Sequence, residues 1–288
     1  MWFCFVSGNE RIRIGMTTSF CVVGSPIEHS LSPVLHAAAY QQLDLSFDYD
    51  KQEVSAGDLS NFLGSGTYVG VSVTMPLKQE AFELAAHHDN YSVATGVANT
   101  LFQVNGAWSA ANTDVYGITQ ALTSVAPPKQ TLIIGSGATA RSGLVALSEK
   151  FPETDITIIS RSESKGQNLV AFAEALGFAA RIQPATSQTV LDANLVMSLV
   201  PAGSFTELWS DIANEGNAGT GTLFDVAYNP WPSKAGLAWG TDRVISGIEM
   251  LIWQAIEQVH LFVSSAGEDR KIDRDSLYQV MKSAVSAK

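Results

Sequence analysis

The sequence predicts an α/β protein built from two successive sheet-containing units, and three observations predict this class. The 288 residues correspond to about two domains at ~150 residues per domain. Short apolar runs alternate with longer segments of helical periodicity, which is typical of parallel sheets covered by helices on both faces. A glycine turn joins one apolar run to one helical segment near the middle of the chain.

Composition limits the class of partner. Apolar residues make up 46% of the chain and charged residues 16%, as in a globular protein. The net charge is −11, from 28 acidic and 17 basic residues, which argues against nucleic acid and anionic membranes as partners. An anionic small molecule would need a few cations placed locally. The sequence therefore predicts a small-molecule substrate, and it leaves open whether the assembly is a monomer or a homodimer.

The N-terminus and the cysteines bear on location. The two cysteines, Cys4 and Cys21, provide neither a disulfide framework nor a metal cluster, so we expect a reducing cytoplasm and no metal site. No apolar run reaches the ~18 residues of a membrane helix. Residues 1–15 are interpreted as an N-terminal extension, either an upstream start or a loose tail, with an extra edge strand as the alternative.

The first unit, residues 16–125, alternates strand and helix patterns. In chain order the patterns predict a strand at 19–26, a helix from Ser32 to about Leu43, a strand at 46–54, a short helix at 55–65, a strand at 68–75, a helix at 78–88 and a hairpin at 99–114. Ser32 is placed to cap its helix, and Asn105-Gly106 matches a type I′ hairpin turn. Asn112 or Thr113 then caps a helix that carries Asp114.

The second unit, residues 126–246, begins after the boundary sequence "APPK". Apolar strand runs stand at 131–134, 155–160, 193–200 and 221–228, with helical or loop spacers between them. Residues 247–288 then carry two amphipathic helical patterns, "GIEMLIWQAIEQVHLFV" and "DRDSLYQVMKSAVSA".

The glycine turn of the second unit predicts a dinucleotide site. The residues Gly135, Ser136, Gly137, Ala138, Thr139 and Ala140 fit G-x-G-x-x-A between a strand and a helix. The first glycine permits the tight turn, the second lets a pyrophosphate approach the backbone, and alanine allows close helix–strand packing. The pyrophosphate would lie at the helix N-terminus. This context predicts a Rossmann-type parallel-sheet domain.

The end of the next strand favours NADP over NAD. An NAD site places a carboxylate there, whereas this chain has Ser160-Arg161-Ser162, with Glu163 one residue too late. The fork of Arg161 suits a 2′-phosphate, and a solvated loop cation is the alternative interpretation. Arg141, in the first turn of the preceding helix, is interpreted equally well as a phosphate contact or as a surface charge.

Polar residues in the first unit lie near predicted strand ends. They are Ser30, Ser32, Thr74, Lys78, Asn99 and Asp114. Each has a structural alternative, such as a helix cap, a turn residue or a solvated charge. Ligands, however, gather beyond the carboxyl ends of strands in α/β sheets. Lys78 is also one of only two basic residues between Met16 and Pro128, and with Asp114 it could move a proton.

Several segments together resemble the shikimate dehydrogenase family over about residue 19 to the C-terminus. They are "SPIEHSLSPVLH", "VSVTMPLK", "ANTL", "NTD", "GSGATAR" and "VISGIEMLIWQA", in the family's order and spacing. "GVSVTMP" and "NPWP" resemble the actinobacterial branch. The resemblance implies an N-terminal α/β substrate-binding domain, an NADP-binding domain and C-terminal helices that return to the first domain. It implies reduction of 3-dehydroshikimate to shikimate.

The resemblance also implies roles for residues. Lys78 and Asp114 would be the catalytic pair. Substrate contacts would come from Ser30, Ser32, Thr74, Lys78, Asn99, Asp114, Tyr228 and Gln254, and the nicotinamide would lie near Gly247 and Met250. The chain departs from the family at Ser72, often Asn, at Leu31, often basic, at Ala138, usually Gly, and in the loop "MSLVPAG".

Two other functions remain open. A quinate or quinate/shikimate dehydrogenase using NAD is the nearer one, and Arg161 argues against NAD. A catalytically silent NADP-binding regulator is the other. The presence of Lys78, Asn99 and Asp114 together argues against it.

Overall fold

In the computed structural model, which describes residues 18–216 and 219–287, two six-stranded sheets organise the chain. The predicted extension, residues 1–15, lies outside the described residues. No helix among the described residues is long and apolar enough to cross a membrane.

The first sheet is mixed. Its unit runs β1 (Thr18–Gly24), α1 (Ser32–Gln42), β2 (Phe47–Glu53), α2 (Leu59–Leu63), β3 (Gly70–Val73), α3 (Lys78–Leu84), β4 (His87–His88), α4 (Asn90–Thr95), β5 (Thr100–Val104), β6 (Ala107–Ala111) and α5 (Thr113–Ala121). The strand order is β2-β1-β3-β5-β6-β4, with β1 parallel to both neighbours and β5 antiparallel to β3 and β6. The predicted hairpin is confirmed, since Asn105 (φ 52°) and Gly106 (φ 82°) are both left-handed, as type I′ requires.

Two local predictions in this unit are wrong. Ser32 does not cap α1 but is its first residue, and the Ser30 hydroxyl accepts from the Ser32 amide at 3.3 Å. The helix predicted at 78–88 ends at Leu84, because the chain turns extended at Ala85 and pairs with β6 as the short strand β4. The pairing with β6 gives the backbone groups of this segment the hydrogen-bond partners that the helix no longer supplies.

The second sheet is fully parallel. Its unit runs β7 (Gln130–Ile134), α6 (Ala138–Lys150), β8 (Asp155–Ile159), α7 (Glu163–Ala175), β9 (Ala180–Ile182), α8 (Ser187–Leu191), β10 (Leu195–Ser198), α9 (Thr206–Asn214), β11 (Thr222–Asp225), α10 (Lys234–Trp239), a short 3-10 turn (Thr241–Arg243) and β12 (Val244–Ser246). The order β12-β11-β10-β7-β8-β9 reverses direction at β7, which is the switch point where doubly wound sheets bind dinucleotides.

Two C-terminal helices, α11 (Gly247–Ser265) and α12 (Arg274–Ser286), pack on the first unit. Their apolar faces share a core with β1 and α1, in which the Phe20 and Phe262 rings stack at 4.8 Å. Gly70 in β3 permits this packing, because a Cβ there would lie 2.6 Å from the Phe262 ring. The chain thus crosses to the second sheet and returns.

One core joins the two units. Val115 and Ile118 of α5 are fully buried in the same cluster as Ile133 of β7 and Leu144 of α6. Since α5 also packs along α11, this helix is held by both units and by the returning C-terminus. The position of its first turn is therefore set by the whole chain.

A fully buried histidine lies in the first core. His36 donates from Nε2 to Gln258 Oε1 (3.3 Å), accepts from the Tyr40 hydroxyl at Nδ1 (3.1 Å), and stacks on Tyr49 at 3.9 Å between ring centroids. Burial lowers the pKa of His36 to about 3, although the hydrogen bond to Gln258 opposes the shift. The ring is therefore neutral in the folded protein.

Acidification should destabilise the fold through His36. The unfolded chain binds a proton near pH 6.5 and the folded chain only near pH 3, so stability falls as the pH drops through this window. Between pH 7 and 5 the expected loss is ~2 kcal/mol. Urea unfolding of His36→Gln should lack this part of the pH dependence. The matched variant His260→Gln, at an exposed position of α11, should keep it; equal pH dependence in both variants would contradict the assignment.

Candidate active site

The predicted polar residues meet at one edge of the first sheet. Because β5 runs antiparallel to β3 and β6, its start lies beside their ends, with Thr100 opposite both Ser72 and Ala111. Thr74 follows β3, Asn99 precedes β5, and Asp114 is in the first turn of α5. The strand pairing thus brings together side chains that are far apart in sequence.

Lys78 and Asp114 form a nearly buried ion pair at this edge. The Nζ–Oδ2 distance is 2.5 Å, and the side chains are 12% and 5% exposed. Lys78 is the first residue of α3, two positions after Pro76, and Asp114 is the second residue of α5. In a site with little water such a pair is strong and directional. It can hold a proton at the ammonium nitrogen for delivery to a reacting oxygen.

Asn99 fixes the carboxylate from behind. Its Nδ2 lies within hydrogen-bond distance of three acceptors, Asp114 Oδ1 (2.9 Å), Thr113 Oγ1 (2.9 Å) and Gln254 Oε1 (3.1 Å), and the two hydrogens of the amide are shared among them. Its Oδ1 accepts from the Thr113 amide (2.8 Å) and the Thr100 hydroxyl (2.8 Å). Each carboxylate oxygen of Asp114 therefore has a donor, Lys78 or Asn99. Gln254 on α11 contacts the same Asn99 amide.

These residues line a cavity of about 260 Å³ between the units. The predicted residues on its walls are Ser30, Ser32, Thr74, Lys78, Asn99, Asp114, Tyr228, Gly247, Met250 and Gln254. The structure therefore brings all the residues assigned to the substrate, and the two assigned to the nicotinamide, to one cavity.

Sequence reasoning missed part of the cavity wall. Ser72 donates to Gln258 Oε1 at 2.8 Å, and Gln258 Nε2 donates to the Asn99 carbonyl at 3.2 Å. Both residues line the cavity. Gln258 is four residues after Gln254, so the helical repeat could have placed them on the same face. Ser72 could have been found from its alternation with Val71 and Val73.

A larger cavity of about 900 Å³ adjoins the first along the glycine turn. It is lined by Ser136, Gly137, Ala138, Thr139 and Arg141. A Cβ at Gly137 would meet nothing within 4 Å, so space is open in front of the N-terminus of α6. That terminus presents free N–H groups to an anion.

The other residues of the turn act in packing. Gly135 has φ 120°, and a Cβ there would lie 2.9 Å from the Leu199 carbonyl oxygen. Ala140 is fully buried against the sheet. Ser160 and Ser136 bond through their hydroxyls at 2.8 Å, and Ser162 caps α7 through the Lys165 amide. These contacts shape the turn.

The structure places Lys165, and not the predicted Arg161, on the wall of the cofactor cavity. Arg161 is exposed at the end of β8, and the cavity lining contains Lys165, from the first turn of α7, in its place. Arg141 lines the cavity, but its Nε donates to the Thr95 carbonyl at 2.5 Å and its guanidinium lies 4.0 Å from the Phe172 ring centroid. Lys165 was missed, although a lysine three residues after Ser162 faces the same turn.

A buried carboxylate supports Tyr228. Asp225 ends β11 and accepts from the Ser233 hydroxyl (2.5 Å) and the Ala227 amide (3.2 Å), and burial raises its pKa. The loop between them carries Tyr228, whose pKa burial also raises. Since Tyr228 lines both cavities, this loop spans the boundary between them.

Comparison with known proteins agrees with this geometry. The family described as "Shikimate dehydrogenase substrate binding domain" matches residues 22–101. The NADP(+) shikimate dehydrogenase of Bartonella quintana is 31% identical over 259 residues, which span 82% of this chain and 84% of the relative. The chain belongs to the shikimate dehydrogenase family. The enzyme of that name from Ignicoccus hospitalis is 29% identical over 256 residues, 86% of this chain and 94% of the relative.

Solved structures of shikimate dehydrogenases share the fold. The Mycobacterium tuberculosis structure has a TM-score of 0.78 and 36% identity, over 94% of this chain and 99% of that one. The Thermus thermophilus structure in complex with NADP(H) and shikimate has a TM-score of 0.73 and 25% identity, over 93% and 100%. Placement in the actinobacterial branch of the family stays a prediction.

Removing the Asn99 side chain should cost substantial stability. Asn99→Ala leaves Asp114 Oδ1 without its donor and the buried Thr113 amide without its acceptor, and one such group typically costs ~1–3 kcal/mol. We expect a loss of ~2–4 kcal/mol in urea unfolding, since more than one group is affected. Asn168→Ala, exposed on α7, is the control and should stay within ~0.5 kcal/mol of wild type. Similar losses in both variants would contradict the bonding described above.

Proposed function

We propose that this chain is an NADP-dependent shikimate dehydrogenase, which reversibly reduces 3-dehydroshikimate to shikimate with NADPH, a step toward chorismate and the aromatic amino acids. The observation that carries the proposal is the Lys78–Asp114 pair where the two cavities adjoin. Lys78, Thr74 and Tyr228 line both cavities. A proton donor thus faces the space where a ketone and a dinucleotide would meet. Family membership supports the same activity.

Different residues of the chain would bind different parts of the substrate. Ser30 and Ser32 would bind the carboxylate, and the ring oxygens would contact Thr74, Lys78, Asn99, Asp114, Gln254 and Tyr228. Lys78 would stabilise the developing alkoxide and give its proton to that oxygen. Asp114, anchored by Asn99, would keep the ammonium aimed at it.

The larger cavity fits NADP. The open space before Gly137 and the N-terminus of α6 suit a pyrophosphate. When bound, the cofactor supplies hydride transfer. Gly247 and Met250 would border the nicotinamide, while Arg161, Lys165 and Arg141 would supply positive charge for the 2′-phosphate.

We extend the proposal to organisation and setting. Residues 16–125 form the substrate domain, 126–246 the NADP domain, and 247–288 the helices that complete the first domain. The protein acts on a small molecule as a monomer or homodimer, and the scarcity of cysteine supports a cytoplasmic location.

A crossed assay tests the function. Shikimate and quinate are each supplied with NADP⁺ and with NAD⁺, and reduced cofactor is followed at its absorbance. Shikimate with NADP⁺ should have the highest kcat/KM. Quinate adds a hydroxyl beside the carboxylate held by Ser30 and Ser32, and a pocket rejects an added hydroxyl by only about 10²-fold, so weak quinate turnover fits. Absence of turnover in every combination would support a silent NADP-binding protein, and highest activity with quinate and NAD⁺ would support a quinate dehydrogenase.

Lys78 should affect the chemical step more than binding. Lys78→Met keeps the length of the side chain and removes its charge, so kcat should fall about 10²–10³-fold with little change in the KM for shikimate. Asp114→Asn should also slow turnover, and the double variant should be little worse than the worse single one, since the two act as a unit. Lys51→Met is the control, because Lys51 pairs with Glu28 outside both cavities. A steep rise in KM with normal kcat would show that Lys78 only anchors substrate.

The phosphate cations should discriminate the cofactors. Lys165→Ala and Arg161→Ala should each raise the KM for NADP⁺ more than that for NAD⁺. We expect the larger effect, about tenfold, at Lys165, because it lines the cavity. Lys129→Ala, an exposed position before β7 at the opposite edge of the sheet, should change neither. If neither cation variant alters the NADP⁺/NAD⁺ ratio, the phosphate assignment fails.

A further inference from the structure

The end of α4, the start of α5 and the second turn of α6 lie together where the two units join. α4 ends at Thr95, α5 begins directly after Asn112, and Ser142 begins the second turn of α6. All three side chains are fully buried. We refer to Thr95, Asn112 and Ser142 as the junction triad.

The side chain of Asn112 connects all three helices. Its Nδ2 donates to Thr95 Oγ1 at 2.9 Å and to Ser142 Oγ at 3.0 Å. Its Oδ1 accepts from the backbone amide of Asp114 at 3.3 Å. Since an amide nitrogen has two hydrogens, both are used, and the orientation of Asn112 is fixed by groups from both units.

The connection continues to the cofactor cavity. The Ser142 hydroxyl donates to the Ala138 carbonyl at 3.4 Å, and Ala138 lines the larger cavity at the glycine turn. The neighbouring Arg141 donates from Nε to the Thr95 carbonyl. Two hydrogen bonds thus cross between the units and hold the start of α6 to the end of α4 and the start of α5.

We propose that the Asn112–Ser142 hydrogen bond is a positioning contact that couples cofactor binding to substrate binding. The inference rests on the proposed function. At one end of the connection is the turn that would hold the pyrophosphate, and at the other is the amide of Asp114, whose carboxylate holds Lys78. Ser142 lines neither cavity, so it acts only through its neighbours. An anion that draws in the start of α6 would shift Ser142, and Asn112 would transmit that shift to the first turn of α5.

Coupling of this kind has a measurable signature. If one ligand changes the affinity for the other by some factor, the reverse effect has the same factor. A contact that serves only stability would, on removal, lower the melting temperature and leave that factor unchanged. The affinity ratio therefore separates a positioning role from a structural one.

Ser142→Ala removes the crossing acceptor and keeps a good helix former in α6. Ser148→Ala is the matched control, because the Ser148 hydroxyl donates at 2.8 Å to the Val145 carbonyl within the same helix. The dissociation constant of shikimate is measured by titration calorimetry with and without saturating NADPH. Both ligands are reduced, so no turnover occurs during the titration. Melting temperatures of the unliganded variants are recorded in parallel.

In wild type, NADPH should tighten shikimate binding. In Ser142→Ala the ratio of the two dissociation constants should fall about fivefold, the equivalent of one ordinary hydrogen bond, while binding of shikimate alone changes little. Ser148→Ala should keep the wild-type ratio. An unchanged ratio in Ser142→Ala, or no effect of NADPH in wild type, overturns the inference. Wild type that fails to turn over shikimate instead overturns the proposed function, so the two failures are distinct.

Discussion

The candidate active site depends on a buried ion pair that must be supported from both sides. Removing the charges of Lys78 and Asp114 from water costs free energy. Each charged group therefore needs hydrogen-bond partners inside the protein to offset that cost. The structure satisfies Asp114 with Lys78 on one oxygen and Asn99 on the other. Asn99 is in turn held by Thr100 and Thr113, and Gln254 joins from the returning helix. The arrangement at the sheet edge follows from this need for partners.

The fold meets that need by holding α5 from three directions. Its buried face packs on β7 and α6 of the second unit, its length runs along α11, and its start is bonded to Asn99. Because Asp114 is in its first turn, neither unit alone determines where the carboxylate lies. The return of the C-terminal helices to the first unit closes this arrangement, and Gly70 allows Phe262 to approach β3.

In the second unit, backbone N–H groups at the start of α6 provide the polar partners for a ligand. The parallel order of its strands opens a crevice beside β7, and the glycine turn leaves space before α6. Charge is provided locally, by a few cations on a protein with a net charge of −11. Burial and orientation at short range therefore matter more here than the overall field, which would repel an anionic ligand.

The sequence by itself determined the elements and the chemistry. Periodicity located most strands and helices, the Asn105-Gly106 turn specified its hairpin, and G-x-G-x-x-A specified the strand–turn–helix. These are local properties of a few consecutive residues. Tertiary structure alone decided that His87–His88 is a strand, because β6 provides its backbone hydrogen-bond partners. It also decided the placement of Ser72, Gln258 and Lys165 in the cavities and of Arg141 against Thr95. Those contacts join residues far apart in the chain, and no short pattern encodes the distance between two elements that only packing brings together.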